Sequence, residues 1–285
     1  MKNSIEIRGL CKSYGDFALE NINLTLPGGS ILGLIGENGA GKTTTIKCIL
    51  NMIRRDAGEI TLLGRDNIRE ECRAKADVGV VLDECFFHDT LRPWDVARIL
   101  APVYQSWDNQ LFGHYLEKFR LPEKKRIKEF SRGMKMKLSL SAALAHRPRL
   151  LILDEATAGL DPVVRDEILD EFLGFISDED HSILVSSHII SDLEKVADYI
   201  AYIHQGQVVL SDSKDAILDS YGRVGCTARE LEAVDPEDLL RVRRGTFGCE
   251  ALVADRAEFM RKYPGLEAER TTLEDIMLFI GKGEK

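Results

Sequence analysis

One segment of the sequence has the residue types and spacing needed to bind phosphate. Residues 36–43 read Gly-Glu-Asn-Gly-Ala-Gly-Lys-Thr, the complete pattern G-x-x-x-x-G-K-[ST]. Glycines let backbone N–H groups close around phosphate oxygens, Lys42 can reach the β- and γ-phosphates, and the Thr43 hydroxyl can bind Mg²⁺. The segment therefore predicts a nucleoside triphosphate site. Its expected contacts are Gly36, Glu37, Asn38, Gly39, Ala40, Gly41, Lys42, Thr43 and Thr44.

Two adjacent carboxylates supply a second group of chemical residues. Asp154 and Glu155 directly follow an apolar run at residues 150–153. Asp154 at the end of a strand can hold Mg²⁺ through its water shell, and Glu155 can polarise an attacking water. An isolated Asp-Glu pair is also common in a solvated turn, but its pairing with a phosphate loop favours phosphoryl chemistry.

The residues around these groups predict the elements that position them. Residues 31–35 are an apolar run typical of a strand buried on both faces, and apolar residues at helical spacing follow Thr43. This strand–loop–helix context disfavours a chance glycine turn. The apolar runs at 150–153 and 183–185 predict central parallel strands, whose carboxyl ends meet at the phosphate site.

The remaining patterns predict an α/β fold of the P-loop NTPase class. We expect a mixed central sheet, an N-terminal antiparallel β-subdomain, a helical subdomain at about 86–147, and a small C-terminal α+β appendage. The predicted domains are 1–220 and 221–285. Further expected strands lie at 5–7, 22–26, 59–63, 199–203 and 207–210, with two short strands within 241–253 and a helix at 255–263.

Composition limits the possible partners. The chain has 285 residues and a formal net charge of −9, which argues against a nucleic-acid-binding surface. No apolar run approaches the ~20 residues of a membrane span, and the N-terminus lacks the apolar core of a signal peptide. Any membrane role is therefore expected to use partner subunits. The six cysteines are scattered without zinc-ligand spacing, which favours incidental thiols in a reducing cytosol.

Four further segments resemble the motifs of ATP-binding cassette (ABC) ATPases, in the order of that family. Residues 131–135, Ser-Arg-Gly-Met-Lys, resemble the signature segment, and residues 158–161, Ala-Gly-Leu-Asp, resemble the D-loop. His188 resembles the switch histidine, and Tyr14 lies where the family places an aromatic residue under adenine. Together with the two nucleotide-site motifs they span roughly residues 3–212, so chance agreement is very improbable.

The resemblance implies a role for each matching residue. Ser131 and Gly133 would face the γ-phosphate of ATP bound by a second cassette, with Asp161 in the D-loop beside that composite site. His188 would contact the γ-phosphate and orient Glu155, giving Glu155, His188 and Lys42 as the catalytic set. The alternatives are a plain helix N-cap for Ser131, a satisfied core histidine for His188 and an ordinary strand-end aromatic for Tyr14.

Two features depart from the most common family pattern. Asp83 follows the apolar run 78–82, where many members have a glutamine that reaches Mg²⁺, so its metal contact can be direct, water-mediated or absent. The signature segment reads Ser-Arg-Gly-Met-Lys where Ser-Gly-Gly-Gln is common, and its Arg132 and Lys135 either add positive charge near the expected phosphate or face solvent. Residues 272–277 resemble a short ending found in ABC ATPases of exporters, although an amphipathic helix packed on the appendage explains the same pattern.

The resemblance thus implies an ATP-hydrolysing subunit of a membrane transporter, and the ending favours an exporter. The expected cofactors are ATP and Mg²⁺, and the expected place is the cytoplasmic face of the membrane. The expected partners are a second ATPase protomer, identical or not, and membrane-spanning subunits that bind around residues 83–91. The alternatives are a soluble ABC ATPase acting on ribosomes or DNA, and a regulatory ATP-dependent module.

Overall fold

The computed structural model describes residues 2–245 and 248–283, which form two compact units, Met1–Ser211 and Asp212–Lys285. Up to Ser213 the elements are β1 (Asn3–Tyr14), β2 (Phe17–Pro27), β3 (Ile31–Ile35), α1 (Lys42–Ile49), β4 (Ala57–Leu62), β5 (Arg65–Asp66), α2 (Glu71–Ala76), β6 (Val78–Val81), α3 (Pro93–Leu100), α4 (Asn109–Lys118), α5 (Arg132–Leu144), β7 (Leu150–Asp154), α6 (Pro162–Phe175), β8 (Ser182–Ser187), α7 (Ile190–Val196), β9 (Tyr199–His204) and β10 (Gln207–Ser213). Beyond it follow α8 (Lys214–Ser220), β11 (Gly222–Cys226), α9 (Ala228–Glu232), β12 (Arg241–Gly245), β13 (Gly248–Val253), α10 (Arg256–Lys262), β14 (Ala268–Arg270) and α11 (Leu273–Lys282).

A six-stranded sheet in the order β10-β9-β3-β8-β7-β6 forms the centre of the first unit. The pairings of β9 with β3, β3 with β8, β8 with β7, and β7 with β6 are all parallel. Every residue of β3, β7 and β8 is buried, as the unbroken apolar runs predict. Because these strands run in one direction, the segments that follow β3, β7 and β8 meet at a single edge of the sheet.

A second, antiparallel sheet has the order β2-β1-β4-β5. Its alternating apolar residues, such as Ile5, Leu26 and Ile60, are buried on one face. They belong to the same apolar cluster as Leu34 of β3 and Ile46 of α1. The three antiparallel strands expected near the N-terminus are therefore confirmed. The third ends one residue early, at Leu62, because Leu63 has a φ of 51° in the turn that follows.

The helix after the phosphate loop is braced at its carboxyl end by a buried asparagine. Asn67 Nδ2 donates to Cys48 O and Ile49 O at 2.9 and 2.8 Å, which satisfies two terminal carbonyls of α1. Arg55 Nη1 donates to Asn67 Oδ1 at 2.7 Å. The region expected to be mostly helical holds α3, α4 and α5, which begin after Arg92, Asp108 and Ser131 respectively.

The second unit has a sheet of its own, in the order β12-β13-β11-β14 with antiparallel pairings. A separate apolar cluster fills it, including Val224, Ala251, Val253 and Phe259. The two short strands and the helix expected within 241–263 are present as β12, β13 and α10. The unit begins at Asp212 rather than after residue 220, because α8 packs against α10 of the appendage.

Candidate nucleotide site

The phosphate loop has a backbone path that requires glycine. Gly39 and Gly41 have φ values of 83° and 118°, in the left-handed region, and Gly41 caps the N-terminus of α1. A Cβ at Gly36 would lie 2.5 Å from Ile203 O, and one at Gly41 would lie 2.5 Å from Leu19 Cδ2. The loop therefore packs against β9 and β2 as it leads into α1, whose N-terminus favours an anion.

Lys42 is held at the centre of the site. Its side chain is only 5% exposed, and Nζ donates to Gly36 O at 2.7 Å and to Glu37 O at 3.3 Å. The same Nζ lies 3.1 Å from Glu155 Oε1. The loop carbonyls thus hold the ammonium beside the carboxylate that follows β7.

Asp154 lies at the end of β7, almost fully buried, and is held by two hydroxyls. Ser186 Oγ donates to Asp154 Oδ1 at 2.5 Å, and the Thr43 hydroxyl also bonds the carboxylate. Burial raises the pKa of Asp154, the charges of Asp83 and Glu155 raise it further, and the two hydroxyl bonds oppose this rise. The ionised carboxylate is therefore an energetically costly group that a nearby cation would stabilise.

Glu155 turns its carboxylate toward a histidine. Its φ is 52°, an uncommon conformation for a residue that is not glycine, and its N–H donates to Ser186 O at 3.2 Å. His188 Nδ1 lies 2.6 Å from Glu155 Oε2. One carboxylate therefore contacts Lys42 with one oxygen and His188 with the other, which joins the three residues predicted to be catalytic.

A cavity of about 590 Å³ opens over these groups. The residues that line it are Phe17, Glu37, Asn38, Gly39, Gly41, Lys42, Thr43, Thr44, Asp83, Arg132, Glu155, Ala158 and His188. Asp83 is an exposed part of this lining, on the segment after β6. The geometry thus brings Asp83 to the cavity, while its metal contact stays a prediction.

The donor set fits a hard divalent cation. Across the described ranges, no cluster of three or more His, Cys, Asp or Glu side chains is placed to hold a metal. Mg²⁺ commonly takes one or two protein oxygens and completes its shell with water and phosphate oxygens. The buried Asp154 carboxylate bonded to the Thr43 hydroxyl matches that requirement.

The signature segment forms the start of α5. Ser131 Oγ accepts from Met134 N at 3.2 Å, so this exposed serine caps the helix in the structure. A Cβ at Gly133 would lie 3.1 Å from Val164 Cγ1, which shows how closely α5 approaches α6. Asp161 Oδ1 accepts from Val164 N at 3.1 Å and caps α6. The predicted phosphate contacts of Ser131, Gly133 and Asp161 stay predictions.

The two cations of the signature segment point to different neighbours. Lys135 Nζ lies 3.1 Å from Asp89 Oδ1, in an exposed ion pair. The Arg132 guanidinium lies against Gly159, where a Cβ would meet Nη1 at 2.9 Å, and it lines the nucleotide cavity. Of these two cations, only Arg132 therefore adds positive charge to this cavity.

Two aromatic residues flank the turn between β1 and β2. The Tyr14 side chain is 47% exposed, and its ring centroid lies 5.0 Å from Lys12 Nζ. Phe17 lines both the main cavity and a neighbouring cavity of about 520 Å³ beside Asn38 and Gly39. Stacking of adenine on Tyr14 stays a prediction, and Phe17 is a second aromatic candidate that the sequence motif did not indicate.

Ser186 is a site residue that sequence reasoning missed. It is the register partner of Asp154 in the pairing of β7 with β8, and its Oγ also accepts from Glu155 N at 3.1 Å. The sequence did hold a sign of it, since two serines, Ser186 and Ser187, follow the apolar run just before His188.

Among the helices described, none is long and apolar enough to cross a bilayer.

Comparison with known proteins places this geometry in a family. Residues 19–158 match the protein-family model described as ABC transporter. The lantibiotic transport ATP-binding protein SrtF of Streptococcus pyogenes is 34% identical over 214 residues, covering 74% of this chain and 91% of that protein. The bacitracin transport ATP-binding protein BcrA of Enterococcus faecalis is 37% identical over 213 residues, covering 73% of this chain and 69% of that protein.

Solved structures share the fold. An ATP-binding subunit of an ABC transporter superposes with a TM-score of 0.67 at 26% identity, covering 75% of this chain and 91% of that one. The ATP-binding cassette MJ0796, a dimer bound to ADP and Pi, gives a TM-score of 0.66 at 18% identity, covering 73% and 98%. The α/β fold expected from the sequence, with its mixed sheet, antiparallel subdomain and helical part, is confirmed.

Proposed function

Because the chain belongs to the ABC transporter family, we propose that it is an ATP-binding and ATP-hydrolysing subunit that powers a membrane exporter. The observation that carries this proposal is the contact of Glu155 with both Lys42 and His188 beside the phosphate loop. An ammonium, a carboxylate and an imidazole at one cavity are the groups that hydrolysis of a terminal phosphate requires.

The geometry suggests how these residues share the reaction. Lys42 is held by loop carbonyls, and a γ-phosphate bound by the loop would compete with Glu155 for its ammonium. Glu155, released on that side and still bonded to His188, can accept a proton from a water that attacks the γ-phosphate. Asp154 and Thr43 would hold Mg²⁺, which neutralises charge on the phosphates when bound.

We further propose that the working unit is a dimer. The exposed N-terminus of α5, with Ser131 and Gly133, offers backbone N–H groups to an anion outside its own phosphate loop. Asp161 at the start of α6 lies close by, because α5 and α6 are in contact at Gly133 and Val164. A second protomer bound here would complete the ATP site, so that ATP binding closes the dimer and hydrolysis reopens it.

The exporter assignment rests on relatives and on the chain's ending. Two of the relatives are named for lantibiotic and bacitracin transport, and a Nod factor export ATP-binding protein of Rhizobium leguminosarum is 30% identical over 244 residues. The ending resembling exporter subunits starts at Thr272, whose Oγ1 accepts from Asp275 N at 3.1 Å and caps α11. We propose a peripheral position at the cytoplasmic membrane face, bound to membrane-spanning subunits.

Replacement of Glu155 tests the catalytic part of this proposal. The variant E155Q keeps the size of the side chain and removes its ability to accept a proton, so we expect it to bind ATP and to lose at least ~100-fold in phosphate release. It should also form an ATP-dependent dimer, visible by light scattering. E117Q, an exposed substitution on α4, is the matched control and should keep the parent rate.

Two results would contradict the proposal in different ways. Hydrolysis by E155Q at the parent rate would remove Glu155 from its catalytic role. Absence of hydrolysis by the parent chain at every protein concentration would contradict the ATPase function itself.

The class of partner needs a separate measurement, in which the tagged chain is purified from its native host. Co-purified polytopic membrane proteins would support the exporter, whereas ribosomal proteins would favour the soluble alternative.

A further inference from the structure

A buried ion pair joins the two helices that follow the predicted D-loop and the predicted switch histidine. Arg165, in the first turns of α6, has Nη1 3.7 Å from Oδ1 of Asp192, in the first turn of α7. The Asp192 side chain is 5% exposed and that of Arg165 is 29% exposed. The pair therefore lies largely beneath the surface, between two elements that lead directly into the candidate site.

The contact is incompletely satisfied. Its 3.7 Å separation is longer than a hydrogen bond, and both Arg165 Nε and Asp192 Oδ2 are buried without a partner among the described residues. Burying charges with unpaired polar atoms costs free energy, and such a pair commonly contributes little to stability or lowers it. Stability alone is therefore a poor explanation for these two residues.

A second bridge already holds the same helices together. Lys195 Nζ, at the exposed end of α7, lies 2.6 Å from Asp166 Oδ1 and 3.4 Å from Asp170 Oδ1 on α6. Apolar residues of both helices are buried as well, among them Leu169 and Leu193. Association of α6 with α7 thus does not depend on the buried pair, which leaves the orientation of α7 as the quantity that the pair can set.

The two ends of the pair are closely connected to predicted site residues. The backbone N–H of Arg165 donates to Asp161 O at 3.0 Å, so Arg165 lies one helical turn after the D-loop aspartate. Asp192 lies four residues after His188, and Ser187 Oγ on the other side of the histidine accepts from Ile189 N at 2.9 Å, which fixes the backbone on both sides of His188. A shift of Asp192 relative to α6 would therefore move the segment that carries His188.

We propose that Arg165 and Asp192 are positioning residues, which set the start of α7 and so hold His188 against Glu155. The inference rests on the proposed function, because the aligned groups are those assigned to hydrolysis. Neither residue is part of the cavity lining, so both are expected to act through His188. The pair also gives the D-loop, through Asp161 and Arg165, a physical connection to the histidine of the same protomer.

Isosteric and apolar variants test this inference. In D192N the charge is lost with little change of shape, and we expect kcat to fall about tenfold while KM for ATP stays within twofold. The double variant R165M/D192L removes both charges and fills the space with apolar groups. We expect its first unit to keep the parent unfolding midpoint in urea, while kcat stays as low as in D192N. K195A, which removes the exposed bridge, is the matched control and should keep kcat within twofold.

A second readout separates this inference from the proposed function. Histidine imidazole resonances, with the His188 signal assigned from H188A, should shift in D192N and stay in place in K195A, whether or not the protein hydrolyses ATP. Recovery of the parent kcat by R165M/D192L, or an unchanged His188 signal in D192N, would overturn the positioning role. A parent chain without hydrolysis would contradict the proposed function, and the resonance shift would still decide the inference.

Discussion

Substitution of Ser186 offers the sharpest test of how the candidate site is built. In the parent, Ser186 Oγ donates to the buried Asp154 carboxylate at 2.5 Å and accepts from Glu155 N at 3.1 Å. The variant S186A removes a hydrogen bond to a charged group and leaves a backbone N–H with one partner fewer. Because bonds to charged groups contribute about 1.5–3 kcal/mol, we expect the free energy of unfolding at pH 7 to fall by about that amount.

The effect should depend on pH in a defined direction. Burial gives Asp154 a folded-state pKa above its ordinary value, so its stabilising contribution is fully present below the unfolded-state pKa and is lost as pH rises through the folded-state pKa. Ser186 favours the ionised form, and its removal raises the folded-state pKa of Asp154 further. The difference between parent and S186A should therefore be smallest near pH 4 and should grow toward pH 7.

Urea unfolding followed by tryptophan fluorescence provides the measurement, since Trp94 and Trp107 both lie in the first unit. S182A is the matched control on the same strand, where Ser182 Oγ contacts the neutral Ser4 Oγ at 2.7 Å and accepts from Gly29 N at 3.1 Å. It should cost about 0.5–1.5 kcal/mol for each of these neutral bonds, with no pH dependence from Asp154. Equal, pH-independent losses in S186A and S182A would refute the reasoning, because the bond from Ser186 would then not be charge-assisted.

Two further predictions concern the elements around the site. N67A should lower the free energy of unfolding of the first unit by about 1–3 kcal/mol, because Ile49 O loses its side-chain donor and Arg55 Nη1 loses its acceptor, while Cys48 O keeps the bond from Asn51 N. The same fluorescence measurement checks it, and a loss below ~0.5 kcal/mol would contradict the bracing role. Y14A should weaken ATP binding about tenfold, the cost of losing one base-stacking contact, and leave binding of inorganic triphosphate unchanged. Titration of Y14A and F17A with ATP and with inorganic triphosphate tests this. If F17A loses affinity for ATP and Y14A does not, the adenine stacks on Phe17 instead.

The phosphate loop and the strands around it were predictable because their signals are local. The apolar run at 31–35, the glycines that follow and the helical spacing after Thr43 each specify a conformation over a few residues. The positions of Asp154 and Glu155 at the end of a strand were equally predictable, since both directly follow an apolar run. The sequence could not place Glu155 against Lys42, however, because that contact depends on the separate strands β3 and β7.

The residues missed at the site are those whose roles depend on long-range register. Ser186 lies 32 residues after Asp154 in the sequence. It reaches the site only because the pairing of β7 with β8 places it opposite Asp154. Arg165 and Asp192 meet only when α6 packs on α7. Charged residues on amphipathic helices are usually solvated, so the sequence pattern gave no reason to expect this pair to be buried.

In the appendage, the sequence indicated some strands and not others. β12 and β13 lie in the span expected to hold two short strands, but β11 and β14 were not anticipated. β11 contains two glycines and only one fully buried apolar residue, Val224, while β14 has three residues and a single buried alanine. Such strands are held by pairing with β13 and β11, which local β-propensity does not record.

The separate apolar clusters of the two units affect how the stability of this chain must be described. A cooperative all-or-none transition is expected of one core, and here the clusters around Ile5 and around Val224 belong to different units. A single melting temperature is therefore not a defined property of the whole chain. Because the second unit has no tryptophan, its unfolding would be silent in tryptophan emission and visible only by calorimetry, circular dichroism or tyrosine signals. A stability measured by tryptophan emission therefore refers to the first unit, and the second unit needs a signal of its own.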